Sequence, residues 1–166
     1  NQTPDVISKL RICDPACGSG SFLVGAYQYL LNYHLDYWTN SKSLKKSLKE
    51  EKIYQVSENN YKLTIEEKQK ILINNIYGVD IDPQAVEVTK LSLYLKLLEN
   101  ESKESEGYLF KHSDFKLLPS LDNNIKCGNS LIGSDFYKDK AVGCNPLFPD
   151  IETMRKVNVF DWDKQF

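Results

Sequence analysis

Hydrophobic and polar positions fall into blocks along the chain, and the spacing inside each block predicts its element. Leu10-Arg11-Ile12-Cys13 is a short apolar run of strand length, followed at once by a proline- and glycine-bearing turn. From Gly20 to about Trp38, residues Phe22, Leu23, Ala26, Tyr27, Leu30, Leu31 and Leu35 recur at three- and four-residue spacing, which predicts an amphipathic crossover helix. His34 on that helix reads as a packed or solvated side chain rather than a ligand. Ile53-Tyr54-Gln55-Val56 and Tyr61-Lys62-Leu63 flank the polar Ser57-Glu58-Asn59-Asn60, the pattern of a small hairpin.

Thr64-Ile65-Glu66-Glu67 reads as a capping box, with the threonine hydroxyl capping a helix and Glu67 reaching back. Ile65, Ile71, Leu72 and the stem of Lys68 give that helix an apolar side, and it should end near Asn74-Asn75. Ile76-Tyr77-Gly78-Val79-Asp80 then reads as a buried strand ending in an acid, and Pro83 suits the first turn of the next helix. Ala85, Val86, Val88, Leu91, Leu93, Tyr94, Leu95, Leu97 and Leu98 cover more than one face of that helix, so it is expected to be sandwiched in the core. Ile125-Lys126-Cys127 predicts a third short strand running into a glycine turn. Tyr108 to Leu118 has no clear period and is not assigned.

Candidate chemistry begins at Asp14-Pro15-Ala16-Cys17-Gly18-Ser19-Gly20, between the first strand and the first long helix. Gly18 and Gly20 lack a Cβ and can take positive φ, so backbone can approach a ligand there. The helix that follows aims its unpaired N–H groups at the turn. Gly18 to Leu23 reads G-x-G-x-x-L, which lacks the third glycine of the dinucleotide fingerprint, and no Gly-Lys-Ser/Thr of a phosphate loop follows.

Asp80 is an acid at the carboxyl end of the second strand, where an open parallel sheet receives cofactors and where it could accept both hydroxyls of a ribose. The customary separation between glycine loop and ribose acid is about 20 residues, and here it is far longer. An insertion over residues 39–63, helical and then hairpin, would account for the excess. Asp82 reads as a helix N-terminal acid favoured by the dipole.

Composition narrows the class. The chain has 166 residues, 41% of them hydrophobic, enough for one packed core. No apolar run approaches the ~20 residues that span a bilayer and no signal segment is recognisable, so the expected location is cytoplasmic with no membrane partner. Four cysteines (Cys13, Cys17, Cys127, Cys144) form no C-x-x-C pair, and only His34 and His112 could join them, which argues against zinc or any other metal. Reduced thiols are expected, with Cys13 and Cys127 packed in strands and Cys17 shaped by the loop. Lys42, Lys45, Lys46, Lys49 and Lys52 form a basic stripe that could touch a DNA backbone, but Glu50 and Glu51 dilute it and a solvated helix face is the plainer reading. The formal net charge of −2 is a poor footprint for a chain that itself grips nucleic acid phosphates.

Asp14 to Gly20 resembles motif I (D-P-A-C-G-S-G) of the S-adenosylmethionine-dependent adenine-N6 DNA methyltransferases of restriction-modification systems, type II and type IIG-like. Tyr77-Gly78-Val79-Asp80-Ile81-Asp82-Pro83 resembles their motif II, and Gly128-Asn129 occupies the place of motif III, where a glycine turn with an Asx cap is an equally good local reading. The resemblance implies an α/β, Rossmann-like methyltransferase fold, here the first half of a doubly wound parallel sheet with the 39–63 insertion. It implies S-adenosyl-L-methionine as cofactor, held by Asp14, Ala16, Cys17, Gly18 and Gly20 in the loop. Asp80 would hold the ribose, Ile81 the adenine face and Asn129 the exocyclic amine. The family's Thr-Pro upstream of motif I lies further from the first strand than Thr3-Pro4 does, and that pair reads as coincidence.

The family's chemistry sits in an Asn/Asp-Pro-Pro-Tyr/Phe loop. The candidate for it, Asn145-Pro146-Leu147-Phe148, has a leucine for the second proline and too little apolar sequence before it for a buried strand. It reads as a decoy, with Asn145 a weak catalytic candidate. Val157 to Phe166 resembles the connection that leads to the family's fourth strand. The expectation is therefore a partial methyltransferase domain over residues 1–166, truncated before its catalytic loop and silent in methyl transfer on its own. Double-stranded DNA would be met through parts of a parent protein mostly outside this chain. Two alternatives stand beside this reading: an NAD(P)-dependent dehydrogenase-like domain, and a non-enzymatic nucleotide- or partner-binding module.

Overall fold

The computed structural model describes residues 2–40, 42–99, 118–136 and 157–166. A short helix α1 (Pro4–Ile7), with Pro4 buried at its first position, leads into strand β1 (Ile12–Asp14). Helix α2 (Ser21–Thr39) follows, then α3 (Leu44–Lys49) and the hairpin β2 (Ile53–Ser57) and β3 (Asn60–Leu63). Helix α4 (Ile65–Asn75) runs directly into β4 (Ile76–Asp80), which α5 (Pro83–Leu98) follows. Strand β5 (Ile125–Cys127) and a terminal turn of helix α6 (Trp162–Gln165) complete the described elements.

The three strands read from the sequence form one parallel sheet in the order β1-β4-β5, so the acid-tipped strand is central. Ile12 pairs with Ile76 and Asp14 with Gly78, while Gly78 pairs on its other side with Ile125 and Asp80 with Cys127. The hairpin is antiparallel, as its polar turn predicts. Helix α2 packs on β1 and β4, α5 on β4 and β5, and α4 against both long helices. The core between them is built from Leu23, Tyr27, Leu30, Leu72, Ile76 and Leu93. On the other face of the sheet Phe166 meets the Tyr77 ring edge-on with centroids 5.3 Å apart, and Lys126 Nζ lies 5.6 Å from the Phe166 centroid. Asn129 and Val159 form a single parallel bridge beyond β5. No helix among the described residues is long and apolar enough to cross a membrane.

Three expectations are corrected. Helix α5 is not sandwiched: Val86, Thr89, Leu93 and Leu97 are buried while Val88, Leu91 and Leu95 are exposed. Only the stripe at three- and four-residue spacing meets the sheet and α2, so apolar composition on the remaining side does not produce burial there. Cys13 and Cys127 are exposed and Cys17 is the buried thiol among the described residues, because the first two lie on the outer strands of a narrow sheet. The capping box closes on one side only. Thr64 Oγ1 accepts from the Glu67 N–H at 3.4 Å, but the Thr64 N–H is taken by the Lys52 carbonyl at 3.0 Å.

Glu67 turns inward instead. Its Oε1 lies 3.6 Å from Nδ1 of the buried His34 on α2. Burial alone would raise the Glu67 carboxyl, but the His34 imidazole and the Lys52 and Lys70 ammonium groups outweigh it and hold it below its ordinary 4.5. A carboxyl whose folded value lies below its unfolded one contributes stability that is complete above the unfolded value and is lost as pH falls through the folded one. Urea unfolding at graded pH is therefore expected to show stability falling below about 4.5, with a shallower fall in Glu67→Gln. Equal slopes in the two proteins would remove Glu67 from the acid response.

Candidate functional site

The loop after β1 owes its shape to hydrogen bonds made by its own residues. Asp14 Oδ1 accepts from the Ala16 N–H at 3.0 Å, and the Gly20 N–H donates to the Cys17 carbonyl at 2.8 Å. The Cys17 N–H reaches across to the carbonyl of Val79 in β4 at 3.0 Å. Gly18 (φ 53°) and Gly20 (φ 80°) both occupy the left-handed region, where a side chain is strained and glycine is not. A Cβ placed on Gly18 would meet nothing within 4 Å, so the space over it is open. Gly20 precedes α2, whose N-terminus receives no side-chain cap.

The second acid comes to the same place from β4. The Gly18 N–H donates to Asp80 Oδ2 at 2.8 Å across 62 residues of sequence, and the Asp82 N–H donates to Asp80 Oδ1 at 2.9 Å. Each carboxylate oxygen has two acceptor positions, so both retain one for a ligand. Ile81, next in the chain, is 51% exposed although it is a large apolar residue. Asp82 accepts from the Gln84 N–H at 2.9 Å and caps α5, the role read for it from the sequence.

The turn after β5 closes the third side. The Gly128 N–H donates to the Asp80 carbonyl at 2.8 Å, which sets Asn129 beside the acid-bearing strand. Asn129 Oδ1 accepts from the Leu131 N–H at 3.2 Å, an Asx turn of its own making. Three loops from the carboxyl ends of three adjacent parallel strands therefore meet, which is where open α/β sheets bind ligands. Asn145, by contrast, falls within residues 137–156, outside the described residues, as does the whole Asn145-Pro146-Leu147-Phe148 loop.

Burial pushes the Cys17 thiol above its ordinary range; the Thr89 hydroxyl opposes this, and the Asp80 and Asp14 carboxylates add to it. A protonated, buried thiol is a packing group here and not a nucleophile. No sequence motif marks Thr89, yet its hydroxyl donates to the Gly18 carbonyl at 2.8 Å. The signal that could have found it is its place on the stripe Val86, Thr89, Leu93, Leu97. A hydroxyl on a buried apolar stripe needs a partner.

Comparison with known proteins gives the family of the chain. A family model described as MmeI, DNA-methyltransferase domain, matches residues 1–137. The type II restriction enzyme and methyltransferase RM.Eco57I of Escherichia coli is 42% identical over 140 residues, covering 82% of this chain and 13% of that protein. The putative type II restriction enzyme and methyltransferase RM.MjaORFECS2P of Methanocaldococcus jannaschii is 42% identical over 130 residues, 78% of this chain and 9% of that protein. The chain thus spans about a tenth of the length of these curated relatives. No solved structure matches it significantly.

Proposed function

The chain belongs to the family of MmeI DNA-methyltransferase domains, and from that premise we propose that it is the S-adenosylmethionine-binding part of a type II restriction-modification methyltransferase acting on adenine N6 of double-stranded DNA. The observation that carries the proposal is the hydrogen bond from the Gly18 N–H to Asp80 Oδ2 at 2.8 Å. It unites the two segments that resemble the family's cofactor motifs into one site, and the parallel sheet is compatible with the Rossmann-like methyltransferase fold.

The residues fit the cofactor. Asp80 keeps an acceptor position on each oxygen for the two ribose hydroxyls, and exposed Ile81 offers an apolar face to an adenine ring. The loop of Asp14, Ala16, Cys17, Gly18 and Gly20 leaves open space over Gly18, and the uncapped start of α2 can receive a carboxylate. Asn129 Oδ1 has a second lone pair for the exocyclic amine. When bound, S-adenosylmethionine supplies an activated methyl group on its sulfonium. The amine of a base is unreachable inside the stack, so the target adenine would be flipped out of the duplex.

Adenine as the target rests on the resemblance of Asp14 to Gly20 to motif I. The net charge of −2 supports a reading in which phosphates are gripped by other parts of a protein of the relatives' length. By the same reading the 39–63 segment is an insertion in the cofactor-binding domain and the protein is cytoplasmic. Titration calorimetry with S-adenosylmethionine, S-adenosylhomocysteine and NAD tests the cofactor directly. Saturable one-to-one binding of the first two, with NAD inert, is expected; binding of NAD in their place would move the chain to the dehydrogenase class.

A further inference from the structure

We propose that Thr89 is a positioning residue of the cofactor loop, its hydroxyl fixing the Gly18 carbonyl and through it the backbone angles that aim the Gly18 N–H at the Asp80 carboxylate. The inference rests on the S-adenosylmethionine reading above for its consequence, and on geometry alone for the positioning itself.

Thr89 is fully buried two turns into α5, the helix that begins three residues after Asp80. Its hydroxyl donates to the Gly18 carbonyl at 2.8 Å and lies 3.8 Å from Cys17 Sγ. Its methyl group underlies Gly20, where a Cβ would stand 2.9 Å from Thr89 Cγ2. One side chain therefore touches three residues of the turn, Cys17, Gly18 and Gly20. Gly18 is held at its carbonyl by Thr89 and at its N–H by Asp80. The two groups lie on the peptide planes either side of the Gly18 Cα, so anchoring both fixes the φ and ψ of a glycine that would otherwise be free to vary them. The acid and the loop are thereby tied to the same helix that follows the acid, which fixes the orientation of the Asp80 carboxylate.

The shape and the hydroxyl of Thr89 can be separated. Thr89→Val keeps the branched shape and removes the donor, leaving the part-buried Gly18 carbonyl without its side-chain partner. Thr89→Ser keeps the donor and removes the methyl. Two readouts are taken on the full chain: hydrogen exchange of the Gly18 amide without ligand, and calorimetric affinity for S-adenosylmethionine. Thr89→Val is expected to accelerate Gly18 exchange and to weaken affinity roughly tenfold, with thermal midpoints close to wild type, and Thr89→Ser to restore both readouts. If Thr89→Val disturbs folding, Thr89→Ala against Thr89→Ser gives the same contrast with a smaller group. Unchanged Gly18 exchange in the valine variant, or equal loss in the valine and serine variants, would overturn the proposal. Accelerated exchange in a protein whose wild type ignores S-adenosylmethionine would leave the positioning intact and defeat the cofactor reading instead.

Discussion

Asp80→Ala is expected to weaken S-adenosylmethionine binding by about 1.5–3 kcal/mol, roughly 10- to 150-fold, the range for hydrogen bonds to a charged group. The loss has two sources. On the proposed reading the ribose hydroxyls lose their acceptor, and the Gly18 and Asp82 N–H groups, which donate to Asp80 Oδ2 and Oδ1, lose the carboxylate that shapes the loop. Asp80→Asn separates them, since it keeps one acceptor oxygen and most of the shape while removing the charge. Its affinity should lie between wild type and Asp80→Ala. Unchanged calorimetric affinity in a folded Asp80→Ala protein would remove Asp80 from the site.

Leu23→Ala should cost about 2–5 kcal/mol of stability, the range for truncating a buried leucine. Leu23 is 0% exposed and seats α2 on the central strand beside the loop. Its partner there is Gly78, at which an added Cβ would stand 2.8 Å from Leu23 Cδ1 and 3.2 Å from Cys17 Cβ. Gly78→Ala alone therefore overpacks the contact, at about 1–3 kcal/mol. One change opens the space that the other fills, so the double variant should be more stable than the sum of the two single losses predicts. Urea unfolding of all four proteins reads the cycle, and strict additivity would mean that the two side chains do not meet as described.

The sequence made some parts of this molecule legible and hid others, for physical reasons. Ile76 to Asp80 and Ile125 to Cys127 were readable because a short apolar run bounded by turn residues has few other uses, and the sheet order then placed them as neighbours. The hairpin after Ile53 was readable from its polar turn. The 2.8 Å bond between Gly18 and Asp80 was not visible as such, though both residues were named, because it spans an interval filled by a helix and a hairpin. Glu67 was read as a cap because the local pattern Thr-x-x-Glu is real. Its competitor, the buried His34 on α2, is a tertiary partner that no local pattern reports. Helix α5 misled in the opposite sense, since its many leucines describe composition while burial depends on what stands opposite each face. Thr89 was hidden among them, a polar atom whose partner lies 71 residues away.

On the proposed reading the three loops after β1, β4 and β5 form one S-adenosylmethionine site. Amide shift mapping by nuclear magnetic resonance tests it most directly, because it reports place and ligand together. Titration with S-adenosylmethionine should perturb Gly18, Gly20, Ile81 and Asn129 along one saturable curve, and Asp80→Ala should weaken that curve, while NAD leaves the same amides unmoved. Saturable shifts confined to other parts of a folded chain, or shifts of these amides by NAD and not by S-adenosylmethionine, would contradict it.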